Sequence, residues 1–113
     1  MNPETKKLLE SSDKDDVLKG MLRTLTRERD QFPHPPIKSY TQRFDAGLMI
    51  RKTVENEIRS FLDMHGCSYR LQAYPNFFST TFNLRMDITN WDDLENAYTV
   101  LRMIHRNATT REG

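Results

Sequence analysis

The sequence predicts a small α+β domain in which helices pack on one face of an antiparallel β-hairpin. Two observations carry this prediction. Residues 67–88 alternate between apolar and polar side chains, which is the pattern of half-buried strands. The segments on either side carry apolar residues at helical spacing, so the expected order of elements is α-α-β-β-α.

The predicted hairpin has arms at 67–74 and 77–88, joined by a turn at Pro75-Asn76. In this register Leu71 lies opposite Thr80, and Tyr69 lies opposite Phe82. One face then collects Cys67, Tyr69, Leu71, Ala73, Phe78, Phe82, Leu84, Met86 and Ile88. Because a slip of one residue would move every side chain to the other face, the pattern specifies which face the helices cover.

The first third of the chain is predicted to be helical up to a proline-rich connector. A short helix begins at Asn2-Pro3, and a second, amphipathic helix starts after an N-cap at Ser12 and ends near Asp30. Residues 32–39 contain three prolines in four positions, which exclude a helix and favour an extended connector. Residues 1–113 are expected to form one domain, with flexible ends at 1–11 and 108–113.

Two further helices are expected to flank the hairpin. One begins between Tyr40 and Asp45 and runs to His65, with Gly66 as its left-handed stop. The other covers 91–107 and is capped by Thr89-Asn90. A two-stranded sheet is marginal in water, so an unrecognised strand or a second chain is expected to complete it. We therefore expect a homodimer or a higher oligomer.

Composition excludes several classes of function. The net charge of +1 gives no global attraction to nucleic acid or to a membrane. The single cysteine, Cys67, excludes an internal disulfide and a cysteine-rich zinc site, which favours a reducing compartment. The sequence contains neither a long apolar run nor a signal-peptide hydrophobic region. A cytoplasmic or nuclear protein that is not secreted and does not bind membranes is expected.

No motif in the sequence indicates catalysis, a metal or a cofactor. The histidines, His34, His65 and His105, do not combine with Cys67 in the spacing of four zinc ligands. Cys67 itself falls on the apolar face of the hairpin, where a thiol is a packing group. The glycines are scattered, so they form no phosphate-binding loop. We expect no enzymatic activity, no metal and no cofactor.

Two surfaces remain as candidate binding sites. The outer face of the hairpin interleaves arginines with aromatic residues, as proteins that bind single-stranded nucleic acid do. Residues 17–43 hold six basic and two acidic residues, a balance of +4, whereas residues 87–95 hold four acidic and no basic residues. Such a charge-split surface suits self-association or an oppositely charged protein. The candidate binding residues are Arg23, Arg27, Arg29, Arg70, Tyr74, Phe77 and Arg85.

The predicted function is a non-catalytic protein-interaction module that self-associates, such as a small regulator, adaptor or inhibitor of a larger assembly. The alternative is a nucleic-acid-binding protein that uses the basic helix and the outer face of the hairpin. The near-neutral total charge favours the protein partner, and the local basic run favours nucleic acid.

Overall fold

The computed structural model describes the backbone of residues 3–11 and 13–112, and the environment of the side chains up to residue 106. The fold has the predicted α+β class. The helices are α1 (Pro3–Leu9), α2 (Lys14–Arg23), α3 (Arg51–Met64) and α4 (Trp91–Glu112). The strands are β1 (Ser39–Gly47), β2 (Tyr69–Pro75) and β3 (Ser79–Asp87). They form a three-stranded antiparallel sheet in the order β1-β3-β2. The predicted caps Asn2 and Ser12 lie outside the described residues; Asp13 caps α2 by accepting the Asp15 N–H at 2.9 Å.

The start of the third predicted helix is wrong, because the chain there forms β1, and α3 begins only at Arg51. Positions 40, 42, 44 and 46 of β1 are buried, and positions 39, 41, 43 and 45 are exposed. A polar residue at a buried position, Gln42, hides this alternation in the sequence. Its Oε1 accepts the Tyr40 hydroxyl at 3.2 Å, and its Nε2 donates to the Arg43 carbonyl at 3.0 Å. Burial of the amide is tolerated because both its polar atoms are bonded.

β2 and β3 form the predicted hairpin, but in a different register. Leu71 pairs with Leu84, four residues beyond its predicted partner. Asn76 donates its N–H to the Ser79 carbonyl at 2.7 Å, which places Phe77-Phe78 at the centre of the turn. The turn therefore lies two residues later than the signal at Pro75-Asn76 predicts.

The buried face of the hairpin is nevertheless the predicted one, since a shift of four residues is even and keeps each side chain on its face. Phe82, Leu84 and Met86 are almost fully buried. Two members of the predicted apolar face are exposed instead: Ala73 near the end of β2, and Phe78 in the turn.

The hydrophobic core lies between this face of the sheet and the helices. Phe44 of β1 and Phe82 of β3 stack at its centre, with ring centroids 5.3 Å apart. The helices contribute Val17, Met21, Val54, Ile58, Leu62, Leu94, Val100, Leu101 and Ile104. None of the helices described has both the length and the apolarity needed to cross a bilayer.

Both predicted helix signals around the hairpin are confirmed. Gly66 has φ +67° just after His65, the C-cap of α3. The Cys67 N–H donates to the Leu62 carbonyl at 3.0 Å, which is a Schellman-type ending. At the start of α4 the predicted cap Thr89-Asn90 forms, since the Asn90 side chain accepts the Asp93 N–H at 2.8 Å. α4 extends to Glu112, five residues beyond the predicted end.

The second predicted helix changes pitch along its length. After α2 the chain continues as a π-helix, Thr24–Glu28, in which the Arg29 N–H reaches the Thr24 carbonyl at 3.0 Å. Within this stretch the hydroxyls of Thr24 and Thr26 donate to the carbonyls of Gly20 and Leu22, each at 2.8 Å. Threonines that bond back to the preceding turn weaken the regular α-helix, which favours the wider one.

Candidate interaction surfaces

The predicted positive and negative stretches meet within the chain. Arg29 follows the π-helix and donates to Asp92 and Glu95 on the first turns of α4, at 3.2 Å in both cases. These ion pairs are exposed, so each contributes little to stability. These bonds pair a basic residue of 17–43 with acidic residues of 87–95, the two stretches that the sequence suggests for contact with another molecule.

The other helical arginines do not join Arg29 in one basic surface. Arg23 lies 3.7 Å from Glu4 of α1, in a partly exposed ion pair. Arg27 is exposed on the π-helix. Of the three arginines of the predicted basic helix, Arg23 thus pairs with α1, Arg29 pairs with α4, and Arg27 faces solvent.

The arginines of the sheet are arranged differently. Arg70 on β2 and Arg85 on β3 lie directly opposite each other on the face away from the helices. Arg43 on β1 lies opposite Asn83 of β3 on this same face, diagonal to Arg85. The structure therefore adds Arg43 to the predicted pair and brings three strands together in one basic patch.

The acidic groups on this face lie at its two ends. Asp45 accepts the Thr81 hydroxyl at 2.7 Å, and Asp87 accepts the Ser68 hydroxyl at 3.1 Å. Over the part of the chain with described side chains, no ion pair joins a carboxylate to any of the three sheet arginines. The middle of the face therefore keeps its positive charge.

A second surface, the apolar tip, consists of Leu48, Met49, Phe77 and Phe78. Gly47 at the end of β1 pairs with Ser79 at the start of β3, so the loops that hold these residues are adjacent. The four side chains are 48%, 94%, 86% and 78% exposed, in that order. The two phenylalanine rings meet edge to face, with centroids 4.7 Å apart. Two turns thus place four exposed apolar side chains at one end of the sheet.

The predicted site residues contribute to the apolar tip only in part. Phe77 belongs to it, and Tyr74, 49% exposed, lies at the same end of the sheet opposite Thr81. Sequence reasoning missed Phe78 because the wrong turn position placed it on the buried face. It missed Leu48 and Met49 because they were assigned to the stripe or body of a helix; two large apolar residues directly after Gly47 are the signal that could have found them.

The outer edges of the sheet carry features that hinder pairing with another strand. Two backbone hydrogen bonds fix the alternation on β2: Asn76 N–H donates to the Ser79 carbonyl, and Asp87 N–H donates to the Ser68 carbonyl. The even-numbered residues on this side therefore bond to β3, and the backbone groups of the odd-numbered residues point away from the sheet. The outward carbonyl of Leu71 is bonded by Arg59 Nη2 at 2.9 Å, and the outward residue Pro75 has no N–H.

The β1 edge follows the same alternation, because the Ile88 N–H donates to the Lys38 carbonyl at 2.8 Å. There the outward carbonyl of Arg43 is bonded by the Gln42 side chain. β1 pairs with the edge of β3 that the sequence leaves unpaired, so the sheet has three strands. β1 is therefore the unrecognised strand that the sequence analysis expects as one way to complete the hairpin.

The cysteine and the histidines lie apart from both surfaces. Cys67 is buried and its Sγ accepts from Asn96 Nδ2 at 3.4 Å; burial raises the pKa of this thiol and keeps it protonated. His65 Nδ1 lies 2.8 Å from the Phe61 carbonyl, and His105 Nδ1 lies 3.5 Å from Asp15. Within the described ranges, no three His, Cys, Asp or Glu side chains are grouped so that they could hold a metal ion.

Comparison with known proteins identifies no relative: the chain matches no protein-family model, no curated protein and no solved structure. The function is therefore inferred from the sheet arginines Arg43, Arg70 and Arg85 and from the apolar tip.

Proposed function

We propose that the protein is a non-catalytic interaction module that self-associates through the apolar tip. The observation that carries this proposal is the exposure of four large apolar side chains at one end of the sheet. Single exposed hydrophobic residues are ordinary, but a contiguous apolar surface is typical of an interaction site. Phenylalanine and methionine are also enriched at the centre of protein interfaces.

The size of the apolar tip fits a weak dimer. At these exposures the four side chains present roughly 500–600 Å² of surface. Two tips packed about a two-fold axis would bury roughly 1,000–1,200 Å² in total, which lies at the lower limit of specific interfaces. A dissociation constant in the micromolar range is expected from such a contact.

The apolar tip is a better site for a second copy than the sheet edges are. Backbone groups on the outer edges are bonded by Arg59 and Gln42, and Pro75 lacks a donor. The tip has no comparable protection, and polar side chains such as Asp45 and Asn76 border it as the rim of an interface would.

Sedimentation velocity over a range from low to several hundred micromolar tests the proposal. Wild-type protein should shift reversibly from the 13.4 kDa monomer toward a dimer as concentration rises. The double variant Phe77→Ser/Phe78→Ser should remain monomeric, because it removes the aromatic part of the contact.

Met64→Ser is the matched control. Met64 is 80% exposed but lies at the far end of α3, which begins just after the apolar tip and is about 20 Å long. This variant should associate like the wild type, and circular dichroism should show all three proteins folded. A wild type that stays monomeric throughout, or a folded double variant that still dimerises normally, would overturn the proposal.

A further inference from the structure

The open face of the sheet holds two like charges against each other. Arg70 and Arg85 belong to a hydrogen-bonded pair of the β2–β3 ladder, in which Cα atoms are about 5.5 Å apart. Like charges directly opposite on a sheet repel each other. Neither guanidinium has an ion pair among the described side chains, so an anion placed between them would relieve the repulsion.

Arg43 extends this pair across the third strand. Residues paired across the three strands form a row, and Thr41, Arg85 and Arg70 form one such row. Arg43 is two residues along β1 from Thr41, so it belongs to the next row, about 6.8 Å away. The row of Arg43 continues with Asn83 and Gln72, whose amides are able to hydrogen-bond the edges of bases. Arginine and amide side chains therefore occupy two neighbouring rows of the same face.

The remaining polar groups on the face are consistent with an extended anionic chain. Asp45 and Asp87 lie in the two end rows, where they accept the hydroxyls of Thr81 and Ser68. The two rows between them hold the three arginines and no carboxylate. Tyr74, half exposed, lies one row beyond Gln72 and donates its hydroxyl to the Gln72 Oε1 at 3.0 Å. Its ring lies four residues, roughly 14 Å, along β2 from Arg70 on the same face. Arginines and an aromatic ring on one sheet face are the combination that unpaired bases use for phosphate contacts and stacking.

We propose that this face binds single-stranded nucleic acid, with Arg43, Arg70 and Arg85 contacting phosphates and Tyr74 stacking on a base. A sheet with its face open accepts splayed bases, whereas duplex DNA is read by elements that enter a groove. Arg43, Arg70 and Arg85 lie in the two middle rows of the face, and Tyr74 lies between them and the apolar tip. None of these four residues belongs to the tip, so this proposal does not depend on self-association.

Three phosphate contacts and a net charge of +1 set the expected strength. Binding should lie in the weak range, with a dissociation constant of roughly 1–100 μM, and should not depend strongly on sequence. The slope of log K against log salt concentration should be about −2, since each phosphate contact on a single strand contributes about −0.7.

Fluorescence anisotropy with a fluorescein-labelled oligo(dT) of twenty nucleotides, at low and moderate salt, tests the site. The double variant Arg70→Gln/Arg85→Gln should bind at least tenfold more weakly and lose about 1.4 from the salt slope. Arg23→Gln/Arg27→Gln removes the same charge from the helices and should bind nearly as the wild type does. Tyr74→Ala should weaken binding at least fivefold.

Each opposite result overturns the proposal. Absence of binding at low salt removes the site, and an equal loss in both arginine double variants shows only a general charge effect. A duplex of the same length that binds as tightly, with the same response to the variants, would exclude a single-strand site. Phe77→Ser/Phe78→Ser should lose self-association and keep oligonucleotide binding, so each proposal can fail without the other. Loss of oligonucleotide binding in this variant would mean that the nucleic acid binds at the apolar tip and not at the arginines.

Discussion

Arg59 of α3 donates through Nη2 to the backbone carbonyl of Leu71, 2.9 Å away, and so satisfies a group on the outer edge of β2. The same guanidinium donates to Glu55 one turn earlier, which holds it over the strand. This contact ties a helix to an edge that would otherwise present an unpaired acceptor.

The first prediction concerns this edge. Arg59→Met keeps the apolar stem but leaves the Leu71 carbonyl to water, and it should lower the free energy of unfolding by about 1 kcal/mol. Urea denaturation measures the change. Glu55→Gln, which leaves the bond to Leu71 in place, should cost under about 0.5 kcal/mol; equal losses in the two variants would mean that the carbonyl bond has no separate role.

The second prediction concerns the buried face of β3. Phe82→Ala should destabilise the protein by about 3–5 kcal/mol, because the side chain is 1% exposed and stacks on Phe44. Thr81, on the opposite face and only half-buried, should cost under about 1 kcal/mol when changed to Ala, despite its bond to Asp45. Thermal or urea unfolding compares the two. Two equally mild substitutions would contradict the assignment of faces.

The third prediction distinguishes a strand from a helix at 39–47. Backbone groups of Tyr40, Gln42, Phe44 and Ala46 bond to β3, whereas those of the odd-numbered residues point outward. Amide hydrogen exchange followed by NMR should therefore alternate, with the even positions protected and positions 41, 43 and 45 exchanging quickly. Uniform protection along the segment is the pattern of a helix and would contradict β1.

The fourth prediction concerns pH. Burial raises the pKa of the Cys67 thiol above its ordinary value in the unfolded chain, about 8.5. As pH rises, the unfolded chain therefore loses this proton before the folded protein does. The contribution of the thiol to the free energy of unfolding is fully present below about pH 8.5 and is lost as pH rises from there to the pKa of the folded state. Cys67→Ala should remove this part of the decline, and the two proteins are best compared from about pH 8.5 up to about pH 10, where ordinary tyrosines begin to titrate.

Urea denaturation at a series of pH values measures the effect. The pKa of Tyr69 is also raised by burial, but its ordinary value is higher, so its contribution falls mainly above this range. Wild type and Cys67→Ala with parallel stability curves through the window would show that the thiol does not titrate differently on folding.

The parts of the fold that depend on local patterns are predictable from the sequence. Alternation identified the buried face of β3, and Gly66 and Asn90 marked helix ends through their own backbone and side-chain chemistry. β1 was missed because Gln42 interrupts its apolar positions, and the bonds that make this amide acceptable are visible only in three dimensions.

The candidate surfaces depend on contacts between distant residues, which is why the sequence predicts them only in part. Arg29 and Asp92 are 63 residues apart, and their ion pair cancels a charge separation that looks intermolecular in the sequence. Arg43 joins Arg85 only through the β1–β3 ladder, and the apolar tip forms only because Gly47 pairs with Ser79. Arg70, Arg85 and Phe77 were predicted one by one from the sequence, but the residues that lie next to them in the fold, Arg43, Phe78 and Met49, were not.

The wide helical turn at Thr24–Glu28 absorbs one residue that a regular α-helix of the same length would not hold. Its hydrogen bonds join residues five apart instead of four, as the Arg29 N–H does with the Thr24 carbonyl. Deleting one residue here would restore a regular α-helix and leave Arg29 directed at Asp92 and Glu95. Deleting one residue within α2 would instead rotate the start of α2 by about 100° relative to Arg29, so the chain tolerates a change of length in the π-helix but not in the helix before it.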